Sequence, residues 1–262
     1  MSLPQRWVIV CGHALFRAAP LEETLDVYDP QNWYGVPGTQ DPAAVVRLLV
    51  EHIRWGISQL EQPETLLIFS GCRSRGRFHD GSPTGILRSE AESYFDVAIR
   101  LGLPREHWNR VILEDFARNS LENILMGCAA AYEATHTLPS EVVVCSFSGK
   151  QQRFLHHIRS LGLGSLVGDG HPAAAGPIFA YHALGDEFAA GVGTAANEQE
   201  TLERFRSDPL GLHQNLSAIR YDATHSSYRN PFLRPPGRYL YAATSWPQLY
   251  GQLAAAYGPD DI

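Results

Sequence analysis

The chain has 262 residues, a net charge of −7, and 44% hydrophobic against 19% charged residues, the profile of a globular protein and neither a disordered nor a fibrous one. An acidic surface argues against a nucleic-acid partner, which needs a basic face, and no stretch approaches the roughly 18 apolar residues of a membrane span. With no signal-type N-terminus, and four cysteines (Cys11, Cys72, Cys128, Cys145) that form neither a metal-type pair nor a disulfide framework, the expectation is a cytoplasmic protein without a metal site or a membrane partner.

Trp7 to Cys11 is an apolar run of strand length closed by Gly12 and His13. Residues 20–41 carry Asp29-Pro30, Gly35, Pro37-Gly38 and Asp41-Pro42, turn chemistry that predicts an irregular surface loop. A helix from Pro42 follows, with Val46, Leu49, Val50, Ile53, Ile57 and Leu60 as its apolar stripe. His52, beside that stripe, reads as structural. Thr65 to Phe69 is the next buried strand, leaving through Ser70, Gly71 and Cys72 into a long polar loop with Arg73, Arg75 and Arg77, plausible as a lid or as a solvated face. Ser89 and Glu92 are spaced as a capping box for a helix whose Ala91, Tyr94, Phe95, Ala98 and Leu101 face inward.

Arg110 to Leu113 reads as a third buried strand, and Leu121, Ile124, Leu125, Cys128 and Tyr132 recur at helical spacing after it. Between them stand Glu114, Asp115, Arg118, Asn119, Ser120, Glu122 and Asn123, which crowds acids, a cation, amides and a hydroxyl into one strand-to-helix turn. Asn119 and Glu122 also have the spacing of a cap and its third helical residue. If Glu122 only caps, Glu122→Gln should be nearly silent. The β-branched run Val142 to Cys145 suits a strand covered on both faces, and Ser146 and Phe147 lead to a helix over roughly 150–161. Ile178 to Tyr181 is a fifth strand. Short helices over 197–205 and 210–219, an Arg- and Pro-rich loop over 226–238 and a helix over 246–257 complete the chain.

Alternation of strands with helices of this length predicts an α/β fold: a Rossmann-like three-layer sandwich with a mostly parallel sheet of about five strands. Residues 1–185 form that domain, and 186–262 are expected to be a mostly helical extension packed on it. The chain holds 20 arginines and one lysine, Lys150. Arginine-favouring codons account for the bias, but not for the lysine that resists it. Lysine is a compact charge and a tunable amine that arginine does not replace.

Taken in order, Ser70-Gly71, Arg88-Ser89-Glu90-Ala91, Glu114 with Ala117, Arg118, Asn119, Ser120, Glu122 and Asn123, and the turn Phe147, Lys150, Arg153, Phe154 resemble the YdcF-like (SanA/ElyC-like) family. The segment Cys11 to Ala14 and the Lys150/Arg153 turn look most like its soluble fungal-type branch. The resemblance covers roughly residues 7–182 and implies a Rossmann-like parallel sheet, with S-adenosylmethionine as a suggested ligand. The chain departs from the bacterial pattern at Gly71-Cys72, where that pattern has two glycines. It also has no membrane anchor, and Lys150 stands near the place of the usual histidine after the fourth strand.

In a parallel sheet the ends of the first four strands meet at one edge, where open α/β sheets bind ligands. His13, Glu90, Glu114, Glu122 and Lys150 are the expected catalytic groups. Gly12, Ser70, Gly71, Cys72, Arg73, Arg88, Ser89, Arg118, Asn119, Ser120, Asn123, Ser146 and Arg153 are the expected ligand contacts. Cys72, beside Arg73, is the one thiol to test as a nucleophile. This many cations at one edge of an acidic protein suggests a small anionic ligand, nucleotides included. Neither GxGxxG after the first strand nor GxxxxGK[ST] nor GxSxG occurs, which argues against NAD, P-loop ATP and serine-hydrolase sites. An enzyme of unassigned reaction and a non-catalytic metabolite-binding module both fit.

Overall fold

The computed structural model describes residues 5–17, 24–72, 88–167 and 177–209. Its strands are β1 (Arg6–Cys11), β2 (Leu15–Phe16), β3 (Trp33–Tyr34), β4 (Thr65–Ser70), β5 (Val111–Glu114), β6 (Glu141–Phe147), β7 (Ser165–Leu166) and β8 (Ile178–Leu184). The helices are α1 (Pro42–Gln59), α2 (Glu90–Arg100), α3 (Ser120–Thr135), α4 (Gln151–Leu161) and α5 (Ala195–Ser207). Six strands form one sheet in the order β5-β4-β1-β6-β8-β7, every neighbouring pair parallel. Arg73, Arg75, Arg77 and the segments expected beyond residue 209 lie outside the described residues.

The alternation of side chains along each strand divides the core in two. Trp7, Ile9, Cys11, Ile68, Val142, Val144 and Phe179 pack with α3, α4 and Phe205 of α5. Val8, Val10, Leu67, Phe69, Val143 and Cys145 pack with α1 and α2. The result is the expected three-layer α/β sandwich. Val8, Ile9, Val10, Leu67, Ile68 and Phe69 are 0% exposed, and each such side chain contributes about 2 kcal/mol relative to an exposed one.

Helix starts are set by short polar side chains that accept from otherwise unpaired N–H groups. Asp41 Oδ1 accepts from Ala44 N at 2.9 Å before Pro42 opens α1. Ser89 and Glu92 form the full capping box of α2, at 3.0 and 2.7 Å. Asn119 Oδ1 accepts from Glu122 N at 3.0 Å to open α3.

Four sequence expectations need correction. The third strand is not buried: β5 is the sheet's edge, Val111 and Ile112 are half-buried, and Leu113 is 37% exposed. The stretch over 20–41 is not wholly irregular, because Trp33 and Tyr34 pair antiparallel with Phe16 and Leu15. Trp33 drives this, being 1% exposed with its indole N–H donated to Val27 O at 2.9 Å. The strand expected to end at Tyr181 runs on to Leu184, and the two-residue β7 adds a sixth strand. Both escaped detection for want of a long apolar run.

Candidate functional site

From β1 the chain moves outward to β4 and β5, then returns to β6 on the other flank of β1. Strands β1 and β6 therefore bound the topological switch point, where a crevice opens at the carboxyl ends. His13 follows β1 there. Ser146 is near the end of β6, and Lys150 lies one turn beyond it.

A cleft of about 330 Å³ occupies this edge. Gly12 and His13 line it after β1, Cys72 after β4, and Glu90 at the start of α2. Ala117, Arg118, Asn119, Ser120 and Asn123 come from the β5–α3 turn, and Lys150, Arg153 and Phe154 from the start of α4. Thr201 and Phe205 of α5 complete the wall. Thus His13, Glu90, Arg118, Ser120 and Lys150 share one cleft, and Ser70, expected beside them, does not line it.

Ser70, Gly71, Arg88, Ser89, Glu114, Glu122 and Ser146 do not line it. Ser89 is occupied as the α2 cap, and Arg88 is held by Asp96 at 3.0 Å and the Glu92 carbonyl at 3.0 Å. Glu114 and Ser70 lie beneath the floor, 3% and 0% exposed. The backbones of Gly12 and Gly71 carry the Glu90 side chain: a Cβ at either position would meet its Oε2 within 2.7 Å. Glycine is required at both strand ends for this approach.

The centre of the site is a relay of three side chains. Lys150 Nζ lies 3.3 Å from His13 Nδ1, and His13 Nε2 lies 3.0 Å from Ser146 Oγ. An ammonium can only donate, so with Lys150 charged His13 Nδ1 accepts and the ring proton sits on Nε2, donated to Ser146. The imidazole stacks on Phe147 at 4.4 Å, and the same ring lies 5.1 Å from Lys150 Nζ. Burial and the neighbouring Lys150 charge hold His13 well below its ordinary pKa, so it is neutral at physiological pH. His52 touches His13 and Phe147 from the apolar side, and burial brings it to about 4, in keeping with a structural role.

Lys150 has a lowered pKa, first through burial and then through Arg153, with Glu187 and Glu198 opposing. No ion pair joins it to a carboxylate among the described residues. The two arginines differ. Arg118 Nε and Nη2 bind Glu122 at 2.9 and 2.8 Å, with side chains 7% and 2% exposed. Arg153 Nε lies 3.1 Å from Glu198 Oε1, outside hydrogen-bond alignment, so this is a charge contact. Glu122 also accepts from the Arg118 backbone N–H at 2.9 Å.

Sequence reasoning missed His157, whose Nε2 lies 2.9 Å from Ser120 Oγ. A serine and histidine so placed suggest nucleophile and base, but the rest of the ring decides otherwise. His157 Nδ1 is buried without a partner. An N–H there would be costlier unpaired than a bare lone pair, so the proton resides on Nε2 and is donated to Ser120. Ser120 is positioned, not activated. Cys72 is 5% exposed, and burial with Glu90 close by pushes its thiol far up, which disfavours the thiolate a nucleophile needs. Burial likewise raises Cys11 to about 12.

Phe154 belongs to the Lys150/Arg153 turn motif but was not expected in the site, and Thr201 and Phe205 escaped the sequence reading. Phe154 looked like any core residue of a helical stripe, and nothing in the chain ties Thr201 and Phe205 to motifs well upstream. Among the described residues no cluster of His, Cys, Asp and Glu could hold a metal ion, and no helix is long and apolar enough to cross a membrane. No protein-family model, curated protein or solved structure matches this chain.

Proposed function

We propose that the chain is a YdcF-like protein that binds a small anionic ligand at the carboxyl edge of its sheet and acts on it as an enzyme. The ligand carries a carboxylate or phosphate, as nucleotides and S-adenosylmethionine do. One observation carries this reading: Lys150 presents a desolvated cation to the cleft with a neutral imidazole as its nearest partner. A half-buried cation without a direct ion pair is costly, and an incoming anion relieves that cost. Arg118 and Arg153 frame the same space, and neutral His13 is placed to accept a proton beside it.

A second reading, a sensing module without turnover, is favoured by the prior engagement of Arg118 with Glu122 and Arg153 with Glu198. Ligand conversion separates the two. The test is a thermal-shift panel of nucleotides, S-adenosylmethionine, phosphorylated metabolites and inorganic phosphate, followed by mass spectrometry of the incubated ligand. A ligand at a hundredfold excess over Kd should stabilise the native state by about 2.7 kcal/mol. Lys150→Met should abolish the shift while changing stability by only about 0.5 kcal/mol, because a cation at a helix start opposes the dipole. A Lys150→Met protein that melts several degrees lower yet binds normally would make Lys150 structural.

A further inference from the structure

An anion seat does not by itself require lysine. Arginine grips carboxylates and phosphates with two parallel hydrogen bonds and is the commoner choice. Arginine cannot, however, shed a proton and attack a carbonyl carbon. The chain uses arginine at 20 of its 21 basic positions, Arg118 and Arg153 of the cleft among them, and its single lysine lies in that cleft against His13.

The surroundings of that lysine are those of an amine. Its Nζ rests against His13 Nδ1 at 3.3 Å and over the Phe147 ring at 5.1 Å. No acid pairs directly with it: Glu187 accepts from Gly149 N at 3.3 Å and Glu198 contacts Arg153, and both act on Lys150 only through their charge. Arg153, three residues on, adds a second positive charge on the same wall.

We propose that Lys150 forms an imine with its substrate, a carbonyl compound bearing a carboxylate or phosphate; this rests on the anionic-ligand reading above. The ammonium first gives one proton to water in the cleft. The neutral amine then adds to the carbonyl carbon, making a C–N bond as the C=O π pair moves to oxygen, and one N–H proton follows to that oxygen. The resulting hydroxyl leaves as water with the second amine proton, and C=N replaces C=O. A lowered Lys150 pKa enlarges the fraction of the reactive form over that of an ordinary lysine.

Reductive trapping tests this on the full chain. The protein is incubated with pyruvate or dihydroxyacetone phosphate and sodium cyanoborohydride, which reduces the imine to a stable secondary amine. Intact-mass measurement and peptide mapping then locate the adduct. Modification of Lys150 in the native protein is expected, with loss of that reactivity in urea and with uncharged hydroxyacetone. The two probes distinguish a carboxylate from a phosphate substrate. The sequence supplies no other lysine, so the α-amine is the internal control. Lys150→Arg should keep the thermal shift given by the anion and lose the adduct. Stabilisation by the anion with Lys150 unmodified would overturn the inference and leave the anionic-ligand reading intact. No stabilisation by either probe, together with no adduct, would overturn both for these ligands. Labelling of Lys150 that is equal in folded and unfolded protein would also overturn the inference.

Discussion

Beneath the cleft floor, one hydroxyl proton is contested. Ser70 Oγ lies 2.6 Å from Glu114 Oε2 and 2.9 Å from Asn123 Oδ1, while Glu114 Oε1 accepts from Phe116 N and Ala117 N. If Glu114 is ionised, Ser70 can serve only one of its two acceptors. If Glu114 is protonated, it donates to Ser70, and Ser70 donates to Asn123. Burial outweighs the hydrogen bonds from Ser70, Phe116 and Ala117, which favour the carboxylate, and the carboxyl is raised from 4.5 to about 7. The folded form therefore binds its proton more tightly than the unfolded chain. Stability from this group is complete below pH 4.5 and is lost as pH rises through 7, about 3 kcal/mol in all. Glu114→Gln mimics the protonated form, so at pH 8 it should raise stability by about 1–3 kcal/mol and at pH 4 change it little. Urea melts at the two pH values check this. Equal destabilisation at both would mean an ionised, fully satisfied Glu114. The residue types were legible in the sequence as a cluster; their layering was not. Ser70, Glu114 and Asn123 look equivalent to the cleft residues until the register Ser70 to Glu114 sets two of them below the surface.

At the scale of elements, helix starts were the most legible feature, because a cap is a local device written in three or four consecutive residues. Ser89/Glu92 and Asn119 behave as their spacing implies. Glu122 does not complete a capping box. Its carboxylate turns back past Asn119 to the Arg118 backbone and guanidinium, so the expectation of a near-silent Glu122→Gln gives way. A glutamine amide would face N–H groups that also donate, in a pair almost without water. The cost should be about 3 kcal/mol, read as a lower urea midpoint, and Arg118 should lose its place in the cleft. A Glu122→Gln protein as stable as the native one would restore the simple cap. The edge position of β5 was illegible for a related reason. A short apolar run looks the same at the centre of a sheet and at its margin, and only its neighbours tell which.

Across the whole molecule, α5 packs on the sheet and reaches the cleft. Phe205 enters the same core as β1 and β6 and lies edge-on to His157 at 4.4 Å, while Thr201 and Phe205 face the cleft. This helix therefore supplies part of the site's wall and, through Glu198, part of its charge. Removing that charge should favour an anion: Glu198→Gln leaves Arg153 without its acid and should tighten anion binding roughly tenfold, about 1.4 kcal/mol. Titration of both proteins by calorimetry decides it, and weaker binding in the variant would mean that Glu198 orients Arg153 for the ligand. Parallel strands and the shared edge were legible across the chain because hydrophobic period survives in any context. The wall made by α5 was not, since contacts between distant segments leave no local pattern.

The crevice lysine has one more consequence. A protease that cuts only after lysine has a single place to act on this chain, the junction between Lys150 and Gln151, where β6 gives way to α4. In the folded protein that peptide bond enters such an enzyme only when the junction opens locally. The rate of one cut thus becomes a clock for opening at the mouth of the cleft. A ligand that closes over Lys150 should slow it in proportion to occupancy.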